Sequence, residues 1–258
     1  MILTADYHTH TPYSHGKNTV AENVEWAQKI GLKEIAISDH GFKHLAHGIK
    51  RKDVQAFMAD CKEAEQQYGI RVLRGMEANV GGVCGKCDLT ERDYENFDVY
   101  LCGYHLTTIY QSFGDFFRSG VCNVVAEQLN LPKSNSLIRR NTKAYIQTLK
   151  NNPIDILTHL AFHCACDTLE VAKCASDLGT YLELNSKKRH LTDGQLMEIA
   201  EKTDVRFVIG SDAHSADRVG EFELVKSQLA GLDFPLERID NIDGRLPTFR
   251  FAEYKKRM

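Results

Sequence analysis

Ala5-Asp6-Tyr7-His8-Thr9-His10-Thr11-Pro12-Tyr13-Ser14-His15 places three histidines within eight residues. The short aliphatic run before them makes Ile2–Tyr7 a strand, and its end delivers the histidines. His8 and His10 are two apart, so on an extended chain they share a face, and Asp6 lies on that face one step deeper. Neutral imidazole is the commonest metal ligand. A carboxylate bonded to the far nitrogen of such an imidazole is its usual orienter, and Asp6 and Asp39 are the candidates for that task. A single His-x-His decides little alone, but the remainder of the chain repeats the arrangement.

Outward from this strand, periodicity alternates between short aliphatic runs and helices. A helix over Thr19–Ile30 leads to a strand over Glu34–Ser38, which delivers Asp39-His40. A helix over Asp53–Tyr68 leads to a strand over Arg71–Gly75, delivering Glu77, and a strand over Asp98–Gly103 delivers His105. After an irregular stretch, Ile154–Thr158 delivers His159. A helix over Thr168–Leu178 precedes a strand over Thr180–Leu184 and Asn185; a helix over Asp193–Thr203 precedes a strand over Arg206–Ile209, with Asp212 and His214 beyond it. A last helix covers about Val219–Leu229, and the tail, with Pro235 and Pro247, reads as surface wrapping.

Taken at positions 8, 40, 77, 105, 159, 185 and 212, the strand ends are separated by 32, 37, 28, 54, 26 and 27 residues. A strand–helix–strand unit needs roughly 30 residues, so the spacing gives six crossovers and a parallel sheet. In a closed α/β barrel, chemistry sits where strands end. The set that gathers there is His8, His10, His15, His40, Glu77, His105, His159, Asp212 and His214. Nine donors exceed what one four-coordinate ion needs and suit two or three metals with Glu77 as a bridge. Imidazole and carboxylate without thiolate favour Zn, Mn or Fe. Clustered open metal ions activate water and clamp the oxygens of a displacement, which is hydrolysis, most naturally of a phosphate ester. No Gly-rich phosphate loop or Gly-x-Ser-x-Gly elbow is present, so no separate protein nucleophile is expected.

The motifs His8-Thr9-His10-Thr11 with His15, Ser38-Asp39-His40, Gly75-Met76-Glu77, Gly103-Tyr104-His105, Thr158-His159 and Ser211-Asp212-Ala213-His214, in this order, resemble those of the PHP (polymerase and histidinol phosphatase) family. The resemblance implies a distorted seven-stranded α/β barrel, a trinuclear metal centre and phosphoesterase activity by a metal-activated hydroxide. It implies His8, His10, Glu77 and Asp212 on one metal, Glu77, His105 and His159 on a second, and His15, His40 and His214 on a third. His15 stands where the family often has Asp. The substrate class it implies is small phosphomonoesters. Histidinol phosphate is the main rival identity, followed by phosphodiesters or exonuclease action, and then a binding module without catalysis. Amidohydrolases also begin with His-x-His but commonly bridge two metals with a lysine after strand four, where this chain has His105.

At 258 residues, 43% hydrophobic and 26% charged, the chain suits one large α/β domain, with a helical insertion over 106–150 near the site mouth. Its formal charge of −3 argues against a long nucleic-acid substrate or an anionic membrane surface. The N-terminus does not read as a signal peptide, so the expected compartment is the cytoplasm, with the eight cysteines as free thiols. Arg140 of the insertion, Arg189 after strand six and Arg218 past His214 are the candidates for gripping substrate phosphate. His44, His47, His163 and His190 read as surface or packing histidines. Homo-oligomerisation is left open.

Overall fold

Seven parallel strands stand in chain order around a nearly closed barrel in the computed structural model, which describes residues 1–258. They are β1 (Ala5–Asp6), β2 (Glu34–Ile37), β3 (Arg71–Asn79), β4 (Val99–Gly103), β5 (Ile156–Leu157), β6 (Tyr181–Asn185) and β7 (Phe207–Gly210). The helices are α1 (Val20–Lys29), α2 (Val54–Tyr68), α3 (a single turn, Phe113–Asp115), α4 (Cys122–Gln128), α5 (Asn135–Asn151), α6 (Thr168–Leu178), α7 (Asp193–Lys202), α8 (Glu223–Leu229) and α9 (Arg250–Lys255). The expected distorted (β/α)7 barrel is therefore the observed architecture. Helix starts follow local chemistry: Thr19 with Glu22 and Thr192 with Gln195 form reciprocal capping boxes at α1 and α7. No helix is long and apolar enough to cross a membrane.

The barrel interior is layered. Ala5, Ala36, Leu73, Val99, Ile156, Tyr181 and Val208, one from each strand, form an apolar lower layer. A larger apolar core fills the space between strands and helices, with Phe57, Tyr145, Leu149 and Ile199 fully buried. Above the lower layer the side chains turn polar, with Glu77 and Glu183 buried inside the barrel. That change of polarity along the strands separates a packing end from a chemical end.

β1 and β7 share no continuous ladder, and three devices close the seam between them. At the top, Thr9 bridges Ala213: the His10 N–H donates to the Ala213 carbonyl (2.8 Å) and the Ala213 N–H to the His8 carbonyl (3.2 Å). In the middle, the buried Asp6 carboxylate accepts from the backbone N–H of Ser211 (3.2 Å) and Gly220 (2.9 Å) and from the Ser211 hydroxyl. At the bottom, Asn241 donates to the carbonyls of Ala5 (2.8 Å) and Ile209 (2.7 Å) and accepts from the Ile209 N–H (2.8 Å).

Two expectations change here. The tail is structural: Ile239, Asn241, Ile242 and Phe251 are buried, Phe249 packs edge-on against Tyr7, and Phe251 leads into α9. The proline pattern did not reveal this, because burial of a tail depends on the open barrel end it meets. In addition, α5 is the crossover helix between the parallel strands β4 and β5, so what exceeds a plain barrel is residues 106–134 rather than 106–150.

Asn241→Ala strips two buried carbonyls and one buried N–H of their partners, each worth about 1–3 kcal/mol. We expect a loss of about 3 kcal/mol, a fall in Tm of roughly 6–12 °C in a thermal melt followed by circular dichroism.

Candidate metal centre

The nine predicted donors converge at the C-terminal end of the barrel, where most of them line a cavity of about 240 Å³. Each arrives from a strand end or the loop directly after it. Glu77 is the hub. Its Oε1 faces His159 Nε2 (2.8 Å) and His105 Nε2 (3.3 Å); its Oε2 faces His40 Nδ1 (2.9 Å), His8 Nε2 (3.4 Å) and His10 Nε2 (3.8 Å). Asp212 Oδ1 lies 3.5 Å from His10 Nε2 and 3.9 Å from His8 Nε2. His15 and His214 face each other with Nε2 atoms 2.7 Å apart.

Several of these separations are too long for good hydrogen bonds. Two donors bound about 2.0–2.1 Å from one tetrahedral cation stand roughly 3.3 Å apart, which is the spacing of Glu77 with His105 and His8. His8 Nε2 and His10 Nε2 are buried with no hydrogen-bond partner, and His40 Nδ1 and Glu77 Oε2, although 2.9 Å apart, do not meet in hydrogen-bonding geometry. Buried polar atoms are normally satisfied, so a converging set of orphans fits cations. The donor atoms gather as His8-His10-Asp212, His8-Glu77-His159, His40-Glu77-His105 and His10-His40-His214. His15 is the one predicted donor outside these triplets and meets the cluster through His214.

Local structure aims the donors. His159 and Asp212 both have left-handed backbone, at φ 30° and 51°. Such strain costs about 1–3 kcal/mol per residue and persists where surroundings over-determine it. Gly103 and Gly210 make room: a Cβ at Gly103 would collide with Thr158 and the His159 ring, and one at Gly210 with Glu183 and, at 3.0 Å, with His8 Cβ.

The orienting groups are not the expected ones. β1 ends at Asp6, so strand alternation does not carry through to His8; Asp6 serves the seam, and its only link to His8 is to that residue's backbone N–H. Asp39 accepts from the Thr11 N–H (2.8 Å) and from the Thr11 and Ser14 hydroxyls, fixing the loop that carries His15. Burial lifts its carboxyl to about 6 against those bonds. Glu183 on β6 instead takes His8 Nδ1 at 2.6 Å, and Asn79 takes His105 Nδ1 at 2.9 Å. A glutamate inside an otherwise aliphatic strand was the available signal for the first. The second was hidden because β3 runs to Asn79, four residues past its expected end.

None of the three candidate arginines reaches the cavity. Arg189 pairs with Asp193, Arg218 with Glu221, and Arg140 with Asp115 (2.6 Å), each neutralised by a carboxylate of its own neighbourhood. Lys187 turns in instead. Asn185 Oδ1 accepts from the N–H groups of Lys187 (3.0 Å) and Lys188 (3.1 Å), a side-chain turn that points Lys187 Nζ at Asp212 Oδ1, 3.1 Å away. Three histidines read as packing residues also line the cavity: His44, His47 and His163. His44 stacks on His40 and His47 on His15, backing the donor rings with a second layer of imidazoles.

Burial holds most of these imidazoles neutral. It lowers His10 to about 3 and His15 and His44 to about 4, and it also lowers His40, His190 and His214. His8 and His159 go the other way: burial opposes their charge, but Glu183, Glu77 and Asp212 outweigh it. A depressed imidazole contributes stability above its unfolded value near 6.5 and loses it as pH falls; a raised one does the reverse. Below about 6.5 the six depressed imidazoles make the unfolded chain take up more protons than the folded one, which the buried carboxyls of Asp39 and Asp155, raised to about 6 and about 7, offset only in part. We expect the urea midpoint of chelator-treated protein to be lower at pH 5 than at pH 6.5.

The match to the PHP domain model spans residues 6–229. A probable phosphatase of Proteus mirabilis (strain HI4320) is 30% identical over 95% of this chain and 92% of its own. A probable phosphatase of Acetivibrio thermocellus is 29% identical over 100% of this chain and 97% of its own. In fold, the chain is similar to the histidinol phosphate phosphatase of Lactococcus lactis, solved with zinc, L-histidinol and phosphate, at a TM-score of 0.63 and 13% identity over 97% of this chain and 98% of the other. With the motifs in order, the barrel closed and the donors gathered at one end, this chain belongs to the PHP family.

Proposed function

We propose that this chain hydrolyses small phosphomonoesters at a three-metal centre. Metal-dependent phosphoester hydrolysis is the activity of its family, and the number of ions and the ester class are the finer reading. The observation that carries it is Glu77: its two oxygens face two different groups of histidines, as a bridging carboxylate must. His8, His10, Glu77 and Asp212 would hold one ion, Glu77, His105 and His159 a second, and His15, His40 and His214 a third. His40 stands close to Glu77 as well as to His10 and His214, and so adjoins two of these positions. Zinc, manganese or iron bound here supplies Lewis-acid activation of water and of the phosphoryl oxygens.

The chain's own residues do the rest. Glu183 keeps the His8 ring in one orientation, and Asn79 does the same for His105. Thr158 donates to Glu77 Oε1 (2.9 Å) and fixes the bridge. Lys187 is the cation at the cavity, its Nζ 3.1 Å from Asp212 Oδ1 and 3.2 Å from His214 Nδ1, placed to turn to a non-bridging phosphoryl oxygen as charge builds there. A cavity of about 240 Å³ that must also hold ions suits a small ester better than a polymer. Histidinol phosphate, the rival substrate, fits the same dimensions.

Phosphate release measured on an aryl phosphate, glycerol phosphate and histidinol phosphate tests this. Release should vanish on chelation and return with one of zinc, manganese or iron. Release from a bis-aryl diester alone would move the reaction to diesters, and none under any loading would leave a binding module. Lys187→Ala should lower kcat/KM on the favoured monoester roughly 10–100-fold with metal content unchanged. Glu183→Gln should weaken metal binding by about 10–100-fold in equilibrium dialysis.

A further inference from the structure

Four residues past His159, the loop after β5 carries Phe162 and His163 into the cavity wall. Its backbone is unusual: His159, Ala161 and His163 are all left-handed, at φ 30°, 68° and 55°. Three non-glycine residues in that region within five positions need an outside brace. The chain between β4 and β5, α4 and α5 together, supplies it. Asn141 donates to the Ala165 carbonyl (2.9 Å) and is itself bonded to Asn123 of α4 (3.1 Å). Glu127, also on α4, holds His163 Nδ1 at 2.9 Å, and Lys133 Nζ sits 3.1 Å from the other Glu127 oxygen. The Phe162 ring lies 3.8 Å from the His163 ring, and Lys188 Nζ stands 4.7 Å from the centre of the Phe162 ring.

Lys133 and His163 lower Glu127 below the usual carboxylate range, so it is a pure acceptor. An ionised carboxylate accepts from Nδ1–H, so Nε2 is the ring nitrogen left at the cavity with no protein partner, and in the imidazole tautomer with its proton on Nδ1 it is an acceptor. An exposed ion pair of this kind adds little stability; what it fixes is the direction of the ring. His44, on the opposite flank of the donors, has no such freedom, since its Nε2 meets Thr107 and its Nδ1 accepts from the His47 N–H.

We infer that His163, held by Glu127, is a specificity-determining residue that contacts the alcohol side of the ester and selects alcohols bearing a hydrogen-bond donor. The inference rests on the phosphomonoesterase reading and names what that reading leaves open, the recognition of the leaving group. Phe162 gives the alcohol an apolar wall, and His163 Nε2 gives it one acceptor.

Glycerol phosphate and n-propyl phosphate, matched in chain length and differing in hydroxyl donors, make the test, with p-nitrophenyl phosphate as the control for turnover. Wild-type kcat/KM should favour glycerol phosphate over propyl phosphate about tenfold, the size of one hydrogen bond. His163→Ala should erase that ratio mainly by lowering the glycerol phosphate value. His163→Gln, which keeps an acceptor, should restore part of it. Glu127→Gln should narrow the ratio without moving Tm or metal content. A ratio unchanged in His163→Ala, or a parallel loss on both esters, overturns the inference. So does wild-type turnover of p-nitrophenyl phosphate with no preference between the matched pair, an outcome that leaves the monoesterase reading standing. Failure of the wild type on all three esters removes both.

Discussion

Everything at the chemical end depends on the seam between β1 and β7. His8 and His10 follow the first strand, Asp212 and His214 the last, and more than 200 residues separate the Asp6 and Ser211 that staple them side by side. In an open sheet these pairs would lie at opposite edges. The Asp6 carboxylate reaches two backbone N–H groups and a hydroxyl across the join, and burial raises its pKa while those three bonds and the His8 N–H pull it back. A short two-residue strand could not close the barrel through its own ladder, so side chains complete what the backbone leaves unpaired.

Closing the seam concentrates charge that the apolar barrel does not tolerate unaided. Glu77, Glu183 and Asp212 stand within one ring of imidazoles, and isolated buried carboxylates are costly. The carboxylates raise the proton affinity of His8 and His159, and protons there would offset part of that charge. Divalent ions would displace those protons, so binding of metal and release of protons are one event. Burial disfavours charge on His10, His15, His40 and His214 and so keeps their ring nitrogens available as donors. Burial thus does opposite things to chemically identical side chains only a few ångströms apart, according to how close each lies to a carboxylate.

The barrel and its donors were legible because both obey spacing rules: strand ends recur every βα unit, and donors cluster just beyond them. Glu183 was not, since a buried glutamate looks like any strand-face residue until the ring it holds is known. Asp6 was misassigned because alternation was extended past the point where β1 ends, and Asp39 because its carboxylate turns from the neighbouring His40 to Thr11 and Ser14. The arginines misled for a different reason. Charge type says what a residue can bind, whereas Arg189, Arg140 and Arg218 each have a nearer carboxylate that the one-dimensional reading did not weigh. Lys187 differs only in the Asn185 turn that directs it inward. His44, His47 and His163 reach the site on loops whose course has no periodicity to betray it.

The C-terminal plug sets a timetable for the nascent chain. Asn241 completes the lower join with Ala5 from 236 residues away, and at about 5–20 residues per second roughly 10–50 s of synthesis separate the two. Until β7 is made, the first strand has β2 beside it but no second neighbour, and the donors of the amino-terminal loop have no carboxylate from β7 to meet. Contacts of such long sequence separation are slow to form. A truncation that removes only the last two dozen residues would release a chain with its ligands and its upper and middle joins present and its lower join missing.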